Sequence, residues 1–200
     1  VVNEPEPPQA QCKTAIISLD VNGQVILDPA LVNDGSTDNC GPVVLSVSPD
    51  TFTCANVGGN TVVLTVDDLS PDSPSSTCTT TVTVLDDMAP MVNSPVSITV
   101  SADSLPCNNT ADSIPGLLLT ALPSGTPPSN PGEYSDNCGV NTITYTLSGP
   151  SGTVGSGNYP IPGNQVFNGG VTTVIYSIRD TTGNTTVCTF DVTVEDLIPP

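Results

Sequence analysis

Short stretches in which an apolar residue alternates with a polar one recur along this chain. In TTTVTVL (residues 79–85) and TFDVTVE (189–195) the period is two. Val82 and Val84, or Val192 and Val194, therefore share one face, while threonine or acidic side chains take the other, the pattern of a half-buried strand. NTVVLTVDD (60–68) and TTVIYSIRD (172–180) precede these stretches across turn-rich gaps, so the two halves share an ending. AIISLDVNGQVILDPALV (15–32) predicts two strands joined at Asn22-Gly23, a strong short-range hairpin signal. SPVSITVSAD (94–103), GLLLTAL (116–122) and NTITYTLSG (141–149) add strands to the second half. About seven strands per half is the count of an immunoglobulin-like sandwich.

The repetition extends to punctuation. DGSTDNCG (34–41) and YSDNCG (134–139) each close a polar run and open a strand-like stretch. Proline-bearing joints stand at NEPEPPQ, LDDMAPM and EDLIPP. These divide the chain into a linker or N-terminal strand at 1–8, a first module at 9–88 and a second at 89–198. The second is longer because of LPSGTPPSNPGEYSDN and SGPSGTVGSGNYPIPGNQ, whose composition is that of surface connections. Val1 is not an initiator Met and Pro200 falls within a joint, so the expectation is a segment of something longer.

Composition supports the all-β reading: 21 Pro and 17 Gly, with Thr, Ser, Asn and Val abundant, oppose long helices. Charge narrows the partners. The formal net charge is −18, with 20 acidic residues against Lys13 and Arg179 alone. That leaves no basic surface for nucleic acid, repels anionic lipid, and accompanies no apolar run of membrane-spanning length. Membrane insertion is not expected. There is no His to serve a Ser or Cys nucleophile and no phosphate-binding glycine loop, so the chain is not read as an enzyme. Seven cysteines without a His point to disulfides, and so to an extracellular location, secreted or at the cell surface. An odd count leaves one thiol over, and the four cysteines of the first half allow three connectivities.

The DNCG motif, the TTGNTTVCTFDVTV stretch and the acidic, apolar, proline-ended joint resemble the hyalin repeat (HYR) and related immunoglobulin-like modules of very large secreted bacterial surface proteins. The second half carries the resemblance more fully; STDNCG, FTCANVGGNTVVLTV and CTTTVTV resemble a variant of it. The resemblance implies two tandem immunoglobulin-like β-sandwiches serving as adhesin, spacer or matrix modules. It also implies disulfides Cys12–Cys40 and Cys54–Cys78 in the first module and Cys107–Cys138 in the second. Members of this family open the second type of module with Cys-Pro; here Ser94 precedes Pro95, which leaves Cys188 as the free thiol.

Asp and Asn in such loops have two readings: they cap turns through their own backbone, or they bind calcium through several hard oxygens at once. The candidate ligands are Asp34, Asp38, Asn39, Asp67, Asp68, Asp86 and Asp87 in the first module. Asp136, Asn137, Asp180, Glu195 and Asp196 are their counterparts in the second. Sequons at Asn108 and Asn184 would accept N-glycans in a eukaryotic secretory pathway. Three function classes follow: a structural repeat of a long adhesin or surface filament, a module binding glycans or proteins through the long loops of the second half, and a spacer of a secreted enzyme. The expected partners are neighbouring modules, identical subunits, and surface glycans or proteins.

Overall fold

The structure, a computed structural model, describes residues 6–39, 41–68, 75–102, 108–149 and 152–197. The chain divides into two compact units, Val1–Asp87 and Met88–Pro200.

In the first unit the strands are β1 (Ala15–Ser18), β2 (Gln24–Ile26), β3 (Val44–Ser48), β4 (Thr51–Thr53), β5 (Gly58–Asp67) and β6 (Ser76–Leu85), with one helical turn α1 (Pro29–Val32). They form a four-stranded sheet in the order β1-β6-β5-β3 and a two-stranded sheet β2-β4. β1 runs parallel to β6, with Ala15 opposite Val82; the other pairs are antiparallel. Alternation sends Val62, Leu64, Val66, Val82 and Val84 inward, and Leu27, Val32 and Phe52 are buried as well. Asn22-Gly23 does form a turn, in which Asp20 accepts from the backbone of Asn22 and Gln24. The strands on either side of it do not pair with each other as a hairpin would. β1 joins β6 and β2 joins β4, so the turn is a corner that takes the chain from one sheet to the other.

The second unit contains β7 (Met91–Val92), β8 (Ile98–Ser101), β9 (Asn108–Thr110), β10 (Thr120–Ala121), β11 (Glu133–Ser135), β12 (Val140–Gly149), β13 (Gly152–Asn158), β14 (Val166–Asn168), β15 (Gly170–Asp180) and β16 (Thr185–Glu195). Its main sheet has the order β13-β12-β15-β16-β8, again with the early strand β8 parallel to the last, β16. β9 pairs with β14, and β10, β11 and β7 form a small third sheet. Both units are thus all-β, immunoglobulin-like sandwiches. Tyr176, fully buried, packs edge-on to Tyr159 and against Phe190, each at 5.8 Å between ring centroids. The apolar part of GLLLTAL is mostly not strand: Leu117 and Leu119 enter the core from a loop that side chains fasten. The Tyr176 hydroxyl donates to the Leu117 carbonyl, and the Tyr159 hydroxyl accepts from the Leu119 amide and donates to its carbonyl.

Candidate functional site

Strand geometry sorts the acidic candidates before any chemistry does. In the first unit, Val44 pairs with Asp67, so Asp67 and Asp68 lie at the end of the sheet where β3 begins, after the loop carrying Asp34, Asp38 and Asn39. Asp86 and Asp87 follow the opposite end of β6, a 10-residue strand, roughly 30 Å away at 3.3 Å per residue. The first module's candidates therefore cannot share one ion. Asp34, Asn39, Asp67 and Asp87 are exposed, Asp38 and Asp68 half-buried, and Asp86 buried. Asp87 accepts the Ser18 hydroxyl at 2.8 Å.

The second unit divides in the same way. Glu195 and Asp196 are exposed at the end of β16, an 11-residue strand, roughly 30–35 Å from the end where Asp180 lies. Asp136, Asn137 and Asp180 remain. All three are buried, and carboxylate oxygens of Asp136 and Asp180 lie within 4.8 Å of each other. The pairing of Val140 with Asp180 brings them together, since Asp136 stands four residues before β12. Asp38 and Asp67 occupy the corresponding places around β3, but Asp38 is only half-buried and Asp67 is exposed.

Each buried carboxylate organises a turn. Asp136 Oδ2 accepts from the backbone N–H of Cys138 and Gly139, both at 2.8 Å. Gly139, at φ +102°, gives the backbone the left-handed bend that aims its N–H there. Asp180 Oδ1 accepts from the backbone of Thr182, Gly183 and Asn184, and Oδ2 from the Thr182 hydroxyl and the Asn184 amide. Burial pushes the Asp180 carboxyl up, but the hydrogen bonds led by Asn184 outweigh it and hold the group below the usual 3.8. Asn184 also donates to the Met88 carbonyl at 3.1 Å. A glycan on Asn184 would take one of the two N–H donors that make these bonds.

The turn-capping reading accordingly accounts for Asp136 and Asp180. The cation reading is compatible with it: a carboxylate oxygen that accepts N–H bonds keeps lone pairs, and two buried carboxylates this close repel unless positive charge lies near. The donors are all oxygen, which fits a hard cation such as calcium rather than zinc. Two carboxylates and the Asn137 side chain supply only part of the six to eight oxygens that calcium takes.

The cysteines correct the expected pairing. Cys12 is bonded to Cys78 across 6.1 Å between Cα atoms, so neither Cys12–Cys40 nor Cys54–Cys78 holds. The reason is register: Ala15 lies opposite Val82 in a parallel pair, which sets Cys12, three residues earlier, beside Cys78, four residues earlier. Cys54 and Cys138 are also disulfide-bonded. Cys40 and Cys107 lie outside the described residues. Cys188 is free and buried, and burial raises its thiol, offset in part by a hydrogen bond from Ser94. It is thus a protonated, unreactive group at neutral pH. The sequence reading missed the Cys12–Cys78 bridge, although the signal was present: CTTTV and CTFDV place Cys78 and Cys188 at one position of the shared ending.

No protein-family model and no curated protein sequence matches the chain. Solved structures do. Fibronectin(III)-like modules of Clostridium thermocellum CbhA are 13% identical, with 96% of this chain and 97% of that one covered and a TM-score of 0.33. Human mucin-like protocadherin EC1-2 is 17% identical over 92% of this chain and 97% of that one, at 0.34. The protocadherin gammaB7 EC3-6 cis-dimer is 14% identical over 96% of this chain, at 0.38, and the chain spans about half, 54%, of its length. No helix among the described residues is long and apolar enough to cross a membrane.

Proposed function

We propose that the chain is a pair of consecutive modules from a long extracellular adhesin or surface filament, acting as a disulfide-stapled rod stiffened by calcium. The observation that carries this is the parallel pairing of an early strand with the last strand in both units. Parallel neighbours start at the same end, so each module receives the chain at one end and releases it at the other. In the first unit the chain passes Cys12, bonded to Cys78 near the start of β6, and leaves after Leu85. In the second, Met88 accepts from Asn184, just before β16, and the chain leaves after Glu195. Modules built this way can be strung in line without rearranging their sheets, and each contributes its own core. The disulfides and the resemblance to hyalin repeats support an extracellular setting, and the partners are neighbouring modules of the same chain or identical subunits. Small-angle scattering from chains of one, two and four modules tests the reading. The maximum dimension is expected to rise nearly in proportion to module number; compact growth would refute it.

Calcium belongs at Asp136 and Asp180, with Asn137 beside them; Asp86 and Asp87 of the joint are among the sequence's other candidates. At 100 times its dissociation constant a bound ion stabilises by about 2.7 kcal/mol. A calcium-dependent rise in melting temperature that Asp136→Asn and Asp180→Asn abolish is expected. No difference between calcium and chelator removes the ion from this account.

A further inference from the structure

Tension on a polypeptide passes through covalent bonds and extends only the segments that lie in series between the points of attachment. β1 and β6 are parallel neighbours in the first unit, and Cys12, just ahead of β1, is bonded to Cys78 in the first part of β6. A pull on the chain before Cys12 therefore crosses the bridge, follows the rest of β6 and leaves after Leu85. The 66 chain steps between the bridged residues lie on a closed side loop, and that loop contains β1 to β5.

We infer that the Cys12–Cys78 bridge is a mechanical bypass that makes the first unit inextensible even when its core melts. What can yield ahead of the bridge is small. Gln9 exchanges backbone hydrogen bonds with Thr37, and the Gln11 amide donates to the Ser36 hydroxyl. Beyond the bridge the remainder of β6 is already extended strand, with little slack to release.

The second unit contains the same joint without the covalent link. Ile98 lies opposite Val192 in a parallel pair, and Cys188 stands four residues before Val192, as Cys78 does before Val82. Facing Cys188 is Ser94, joined to it by a hydrogen bond alone. Tension can part these residues, so the second unit extends when it unfolds, short of what the Cys138 bridge retains. One unit is a fixed strut and the other an extensible spring in series with it. The biological use of this difference rests on the proposed filament; the bypass itself is a property of the isolated chain.

Single-molecule stretching of the oxidised 200-residue chain, held at its two ends, tests it. The fully stretched length does not depend on whether a variant is folded at the start, so Cys12→Ala/Cys78→Ala is informative even if its first unit is destabilised. That variant is expected to stretch further than the unaltered chain by up to the bypassed 66 steps, roughly 220–240 Å, less what the disulfide at Cys54 retains. Ser94→Cys, with the new bridge to Cys188 verified by mass, is expected to shorten the stretched length by closing the second unit in the same way. Equal lengths for the unaltered chain and the double variant, or a bridged Ser94→Cys chain that stretches as far as the unaltered one, would overturn the inference. Compact particles in the scattering series would refute the rod and leave these lengths unchanged.

Discussion

The two units fasten their outermost strands at the same place by different means. In the first, Cys12 and Cys78 are covalently joined beside β6. In the second, Ser94 and Cys188 hold the corresponding place with a hydrogen bond. Their cores differ in the opposite sense. Phe52 is the single aromatic residue of the first unit, whose interior is otherwise aliphatic, whereas the second has six of the chain's seven aromatics, with Tyr145, Phe167, Tyr176 and Phe190 buried. Large rings bury more area and interlock through their edges, so a module rich in them needs a covalent staple less. The contrast teaches that cross-linking and packing substitute for each other in small sandwiches.

Removing the staple is the strongest way to break this comparison. Cys12→Ala/Cys78→Ala opens a loop with a sequence separation of 66, a loss of roughly 4 kcal/mol in the chain-entropy model. Calorimetry should show the first unit's transition falling by roughly 15–30 °C while the second stays in place. Equal shifts in both would mean that the units do not melt independently. Ser94→Cys is the converse and is expected to stabilise the second unit by about 2–4 kcal/mol once oxidised, read as a rise in its transition that a thiol reverses. A smaller effect is expected at the buried turn. Asp180→Asn leaves several donors facing an amide and should cost about 1–3 kcal/mol in chemical denaturation of the second unit.

Acid sharpens the last point. The folded Asp180 carboxyl sits below its usual 3.8, so the native state holds the charged form more firmly than the unfolded chain does. Its contribution is complete above that value and is lost as pH falls through the folded pKa. The stability gap between the unaltered chain and Asp180→Asn should therefore hold from neutral pH to about 4 and narrow below it. A gap that stays constant into acid would show that the turn, rather than the charge, stabilises the second unit.

What the sequence made legible was local. Period-two alternation located β5, β6, β12, β15 and β16, because a strand with one buried face must write its residues that way. Pairing between distant strands left weaker traces. Asn22-Gly23 is a turn, but turn chemistry does not say whether the flanking strands bond each other or part to different sheets. The disulfide expectation failed for a related reason: the resemblance implied Cys12 with Cys40, while the parallel pairing of β1 with β6 sets Cys12 beside Cys78. The acidic candidates could not be sorted from sequence spacing. Only the lengths of β6 and β16 separate carboxylates at opposite ends of a sheet, and only the pairing of Val140 with Asp180 isolates the buried pair.

The position of the bridge also bears on how the chain survives digestion. Lys13 and Arg179 are its two basic residues, and Lys13 is exposed immediately after Cys12. A protease that cuts after lysine would free residues 1–13 from any ordinary chain, yet here Cys12 lies on the released side and Cys78 on the retained one. The nicked molecule stays in one covalent piece, and whatever precedes it remains attached through sulfur where the peptide bond is gone.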